Sequence, residues 1–297
     1  MRVLKIGIGF LAACLLVACG GGTQKKEKRV ISVTIEPQRY FAEQVAGDRF
    51  AIHCVVPEGQ SPESYDPTPR QMAQVGESEA YLRIGCIGFE LAWMDNIAAN
   101  NPNLRIFNLS DGIQPLHSPE EHAHDEEEEK THRHGDTDPH TWSSVGGARV
   151  IARNTLNALI AIDPEGKADY EANYRRLAAE IDSTGQVIDR LLKPLRHKTF
   201  IIYHPALTYF AAEHGLTQLC IEMDGKEPSP AQMRKLVDAA RDHDARVVFV
   251  QREFDQKNAE LIAKETGCRL VPINPLSRDW SGEMIRIAKA LADGETD

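Results

Sequence analysis

Two kinds of hydrophobic periodicity alternate along the chain. Short apolar, β-branched runs at 30–35, 50–56, 80–84 and 104–109 read as strands, and segments with helical spacing lie between them at 37–46, 69–77 and 90–100. The alternation then returns. Runs at 198–203, 216–221, 246–250 and 269–273 are strand-like, and helical segments follow at 207–214, 230–243, 256–266 and 280–292. Strands that alternate with helices imply βαβ units and parallel pairing. The predicted fold class is therefore α/β, with two similar lobes, each a mainly parallel four-stranded sheet flanked by helices.

A short echo supports two related halves. DPTPRQM at 66–72 and EPSPAQM at 227–233 both place Thr or Ser before Pro, with Gln three positions on. That is a capping box with proline in the first helical turn. Between the halves, Tyr170, Tyr174, Leu177, Ile181, Ile188 and Leu191 fall on one helix face. The spacing predicts a linking helix over 164–192, with Asp163 as its cap, Pro164 in its first turn and Pro194 limiting its far end. Gly185 is its weak point. The expected organisation is an N-terminal lobe at 30–162, a linking helix at 163–194 and a C-terminal lobe at 195–297.

The first residues are of another kind. Arg2 and Lys5 precede an apolar run at 6–18, which is shorter than the roughly 20 residues needed to span a bilayer. This is the shape of an export signal. Leu16-Val17-Ala18-Cys19 resembles the lipobox of bacterial lipoproteins, which implies a signal peptide at 1–19, cleavage before Cys19 and a lipid on that cysteine. Residues 20–29 then form a flexible tether.

Composition narrows the function. A hydrophobic fraction of 42% leaves ample material for a core. A net charge of -10 disfavours a nucleic-acid partner, because the phosphate backbone rewards a basic surface. Cys54, Cys86, Cys220 and Cys268 form no C-x-x-C pair, so a thiolate zinc knuckle is not expected. Cys54 and Cys220, in apolar strand-like runs, read as buried free thiols, with a disulfide open in an exported chain.

The loop at 117–138 has almost no apolar residues and cannot bury a core. It carries His117, His122, His124, His132 and His134 among many carboxylates, a composition suited to collecting metal weakly. A merely solvated acidic loop is the plain alternative. A tight site needs ligands on rigid elements. Two candidates are Asp138-Pro139-His140-Thr141-Trp142 and Tyr203-His204-Pro205-Ala206, the latter directly after a predicted strand, where open α/β sheets bind ligands.

Together these segments resemble the substrate-binding proteins of bacterial zinc and manganese ABC importers. The resemblance runs from about residue 30 to 291. It rests on VVPEGQSPESYDPTPRQM (55–72), the histidine-rich loop, DPHTW (138–142), YHPALTYFAAEHGL (203–216) and VVFVQREFDQKNAELIAKETG followed by INPL (247–276). It implies two α/β lobes joined by a long rigid helix, with a metal held between them. His140 then matches the ligand histidine of the first lobe and His204 that of the second. Glu63 stands where the family usually has its first histidine, and Asn274 where it often has an aspartate; water is an alternative to Asn274. Gln251 replaces a commonly acidic residue. Glu253 has no ligand warrant from its motif position, and Asp66 and Glu222 have little more.

Two His and one Glu suit Zn2+, Mn2+ or Fe2+; the usual affinity order and the histidine loop favour Zn2+, with Mn2+ or Fe2+ as alternatives. The resemblance further implies delivery of the metal to a separate ABC permease and its ATPase, from a monomer tethered to a membrane on the extracytoplasmic side. This chain itself has no nucleotide-binding GxxxxGK[ST] loop. An enzyme is not expected: a metallohydrolase could use two His and one Glu, but no HExxH motif is present. A histidine-loop buffer or adhesin is the other alternative. An organic-ligand receptor is disfavoured, because Trp142 and Trp280 read as packing residues rather than as a ligand box.

Overall fold

The computed structural model describes residues 28–117, 137–222 and 226–294. The signal peptide, Cys19, most of the tether, and His122, His124, His132 and His134 lie outside the described residues. Among the described residues no helix is long and apolar enough to cross a membrane, and Cys54, Cys86, Cys220 and Cys268 form no disulfide.

The N-terminal half runs β1 (Arg29–Val33), α1 (Glu36–Ala46), β2 (Phe50–Cys54), α2 (Pro69–Gly76), β3 (Ala80–Arg83), α3 (Gly88–Asn100), β4 (Arg105–Asn108) and α4 (Val145–Ile162). After the linking helix α5 (Lys167–Leu192) come β5 (Thr199–Ile202), α6 (Thr208–His214), β6 (Thr217–Cys220), α7 (Pro230–Asp242), β7 (Val247–Gln251), α8 (Lys257–Thr266), β8 (Arg269–Ile273) and α9 (Trp280–Asp293). The sheets have the orders β2-β1-β3-β4 and β6-β5-β7-β8, and every pairing is parallel. The two halves thus share one topology. Thr68 and Ser229 open α2 and α7 at equivalent places, each accepting from the N–H of the Gln three residues on while that Gln side chain caps back.

Covered on both faces by helices, the central strands are buried along their length, as parallel sheets require. Ile31, Ser32 and Val33 are fully buried, as is the whole of β7. The apolar runs overshoot the strands for a reason visible at β1. Thr34 and Ile35 continue the hydrophobic pattern, but both of their amides donate to Gln38 Oε1 at 3.0 Å. They belong to the turn into α1, and their apolar character serves the core.

The linking helix differs from expectation at its start. Pro164–Gly166 form one 3-10 turn, and the α-helix begins at Lys167. Asp163 makes no side-chain cap. Its carboxylate instead accepts from Arg49 Nε at 2.8 Å and from Tyr170 Oη at 2.5 Å, and pairs with Arg29 Nη1 at 3.1 Å. Asp163 therefore anchors the head of the linking helix to the sheet through the residues that open β1 and β2. These charge-assisted bonds, from Arg49 foremost, hold its carboxyl down at about 2.

At 26 residues, α5 is roughly 39 Å long at 1.5 Å per residue. Gly185 in its interior has a packing role: a Cβ there would lie 3.0 Å from Val145 Cγ1 at the head of α4. One continuous core runs through both lobes and α5, including Phe41, Trp142, Ile181, Ile188, Phe249 and Trp280. A shared apolar core of this kind opposes free domain motion.

Asp163→Asn is expected to lower stability by about 2 kcal/mol, as loss of one partner from a buried polar cluster does, read from the urea midpoint. The carboxyl is depressed from its ordinary 3.8 to about 2, so its contribution is present above the unfolded value and lost as pH falls. The gap between wild type and Asp163→Asn should therefore narrow from about pH 5 to about pH 2, and a gap constant over that range would contradict the assignment.

Candidate metal centre

The candidate ligands lie on loops at the carboxyl ends of strands in the two sheets, where open α/β folds place ligands. Each is held by its local sequence. In the Asp138-Pro139-His140-Thr141-Trp142 segment, Asp138 Oδ1 accepts from the His140 backbone N–H at 2.8 Å and contacts His140 Nδ1 at 2.9 Å. One carboxylate thereby fixes both backbone and ring. The next residues make a 3-10 turn, and Ser144 caps α4 by accepting from Gly147 N–H.

Trp142, expected as a packing residue, is fully buried and also joins the lobes. Its Nε1 donates to the Pro275 carbonyl at 2.9 Å, and Trp280 Nε1 donates to the Trp142 carbonyl at 2.7 Å. Glu213, at the end of α6, accepts from Val145 and Gly146 N–H at the head of α4. That places a carboxylate from the second lobe on the positive end of a first-lobe helix. The segment that carries His140 is thus fastened across the junction at both ends.

His204 follows β5. Its Nδ1 lies 3.0 Å from Glu222 Oε2. Gln251 clamps its backbone, donating from Nε2 to the His204 carbonyl at 2.7 Å and accepting from its N–H at 3.3 Å. A glutamine amide supplies both donor and acceptor; a carboxylate would supply only acceptors. Phe254 stacks on the ring, with centroids 5.2 Å apart.

Glu63 is fixed from the head of α3, where Gly88 N–H donates to Glu63 Oε2 at 2.9 Å. Glycine is required at 88 because a Cβ would lie 2.2 Å from the Glu63 carbonyl oxygen. The other carboxylate oxygen, Glu63 Oε1, is buried and has no hydrogen-bond partner among the described residues.

Glu63, His140 and His204 converge, with ligand atoms all within 4.8 Å of one another. The two Nε2 atoms are 3.3 Å apart. With both Nδ1 atoms turned to carboxylates, each Nε2 presents a lone pair to the other unless a cation lies between them. Tetrahedral zinc with Zn–N of 2.0–2.1 Å places two imidazole nitrogens about 3.3–3.4 Å apart. The cavity they share is about 10 Å³. That is room for about one water-sized sphere.

The remaining sequence candidates fall elsewhere. Asn274 is not among the residues that line the cavity, although Pro275 and Leu276 are; its backbone N–H donates to Glu283 Oε1 at 2.6 Å. Asp66 is exposed and does not line the cavity, and Glu222 stands behind His204. His117 pairs with Thr137 in an antiparallel bridge at the base of its loop. One contributor escaped the sequence reading, and one was set aside in it. Gly88 gave no signal, because its role depends on the distant Glu63. Glu253 lines the cavity from the turn after β7, and its place after a parallel strand was a usable signal. Burial raises the Glu253 carboxyl, against the opposing pull of His204 and His140.

Known proteins resemble this chain over nearly its whole described length. The family model described as ZnuA, zinc-uptake complex component A, periplasmic, matches residues 31–294. The high-affinity zinc uptake system protein ZnuA of Bacillus subtilis (strain 168) is 26% identical over 283 residues, covering 91% of this chain and 88% of that protein. The manganese ABC transporter substrate-binding lipoprotein PsaA of Streptococcus pneumoniae serotype 4 is 27% identical over 270 residues, covering 86% and 84%. A crystal structure of ZnuA superimposes with a TM-score of 0.80 at 34% identity, covering 90% of this chain and 99% of that one. A zinc-bound ZnuA deletion mutant gives a TM-score of 0.81 at 33% identity, covering 90% and 98%.

Burial would lower the His140 pKa, but the charge and hydrogen bond of Asp138 outweigh it and raise the value above the ordinary 6.5. In the metal-free protein the proton on His140 therefore stabilises the fold. That contribution is complete below about pH 6.5 and is lost as pH rises through the raised value. Metal binding should run the opposite way, weakening as pH falls through that value, because proton and cation compete for Nε2. Asp138→Asn is expected to lower the His140 midpoint in an imidazole NMR titration of the metal-free protein, and an unchanged midpoint would remove Asp138 as the cause.

Proposed function

The chain belongs to the family of the periplasmic component A of zinc-uptake complexes, and from that premise we propose that it captures Zn2+ outside the inner membrane and passes it to an ABC importer permease driven by a separate ATPase. The observation that carries this reading is the pair of imidazoles whose Nε2 atoms face each other at 3.3 Å beside an unsatisfied Glu63 oxygen. Glu63, His140 and His204 are the proposed ligands. Each histidine is backed by a carboxylate, which orients the ring and directs Nε2 into the cleft.

Zinc is preferred to manganese by the usual order of affinity for nitrogen and oxygen donors, and the donor spacing suits a tetrahedral ion. A cavity of about 10 Å³ suits capture of a bare ion. The histidines of 117–138 would gather metal weakly and raise its concentration near the cleft. A lipid on Cys19 would keep the protein, as a monomer, near its permease.

Calorimetric titration of the metal-stripped protein tests the assignment. One tight zinc equivalent should survive deletion of 118–134 and disappear in a His140→Ala, His204→Ala double variant. Tighter manganese than zinc at that site would replace zinc as the cargo. Loss of all tight binding on loop deletion would favour a histidine-loop buffer instead.

A further inference from the structure

The cleft has one more donor than the resemblance supplies. Resting on the receptor reading, we propose that Glu253 is the fourth protein ligand to the transported cation and sets its affinity, in the role the family pattern assigns to the position of Asn274.

Three observations place it there. Glu253 lines the same cavity of about 10 Å³ as Glu63, His140 and His204, whereas Asn274 does not. It sits in the turn that begins directly after Gln251, whose amide clamps the His204 backbone, and precedes Phe254, which stacks on the His204 ring. The turn that carries Glu253 is therefore tied to one of the ligands on two sides. Glu253 also lies within electrostatic reach of both imidazoles.

Charge gives the reason a carboxylate is wanted. Two neutral imidazoles and one carboxylate leave a divalent cation with one positive charge unmatched by a directly coordinating oxygen anion. An unpaired buried charge is costly. The Asp138 and Glu222 carboxylates face the Nδ1 atoms and serve to orient the rings. Glu253 is the acidic residue remaining on the cavity wall after Glu63. Its coordination gives a two-His, two-carboxylate set of ligands; because its carboxylate lies outside the group of donor atoms within 4.8 Å of one another, coordination requires the turn after β7 to move toward the ion.

The test is zinc titration against a competing chelator with wild type, Glu253→Gln, Glu253→Asp and Asn274→Ala, together with cobalt(II) absorption spectra of each. Glu253→Gln should weaken zinc by at least roughly tenfold, since loss of even an outer partner costs about 10- to 100-fold. It should also alter the cobalt d–d bands and leave the thermal midpoint of the metal-free protein unchanged. Glu253→Asp should recover part of the affinity, and Asn274→Ala should change it by less than about threefold. Unaltered affinity and cobalt bands in Glu253→Gln would overturn the proposal while the receptor reading stood. Absence of tight zinc binding in wild type itself would overturn the receptor reading and this inference with it.

Discussion

The arrangement depends on two imidazole nitrogens held 3.3 Å apart by opposite lobes. Each ring is turned by a carboxylate on its far nitrogen, Asp138 for His140 and Glu222 for His204. Two lone pairs aimed at each other repel, so the carboxylates store a demand for a cation that neither lobe has alone. A divalent ion between them meets that demand. The rest of the molecule can be understood as the framework needed to keep that distance small.

The framework is unusually closed for a two-lobed protein. Trp142 donates to the Pro275 carbonyl and accepts from Trp280 across the junction, Glu213 caps the helix that follows His140, and the core is continuous from the first sheet through α5 to the second. Gly185 lets the head of α4 lie against the linking helix, and Asp163 fastens that helix to the opening of β1 and β2. Such a junction resists wide opening. Changes of local reach, in turns such as the one after β7, are then the less costly way to admit and release an ion. The family's function fits this economy of motion, because a bare ion needs only a small aperture.

Gln251 illustrates how a departure from a family pattern can be read physically. At a commonly acidic position, its amide both donates to and accepts from the His204 backbone, which a carboxylate cannot do. The negative charge missing at 251 is present two residues later, on the cavity wall at Glu253.

Hydrophobic periodicity by itself determined the eight strands, the flanking helices, the long linker and the twofold repeat, because burial on both faces of a parallel sheet writes uninterrupted apolar runs into the chain. The paired capping boxes were equally legible, since a cap is satisfied within four residues. His140 and His204 were recognisable because DPHTW and YHPALTYFAAEHGL resemble segments of a known family. What sequence did not decide was everything that depends on pairing across the chain. Asp163 looked like a cap and became an anchor to Arg49 and Arg29; Trp142 looked like packing and became a bridge to Pro275. Asn274 matched a motif but lies off the cavity wall, and Glu253 lacked the motif but lies on it. The reason is range: propensity, capping and apolar period act between near neighbours, whereas the wall of a cleft is assembled from loops that only the packed sheets bring together.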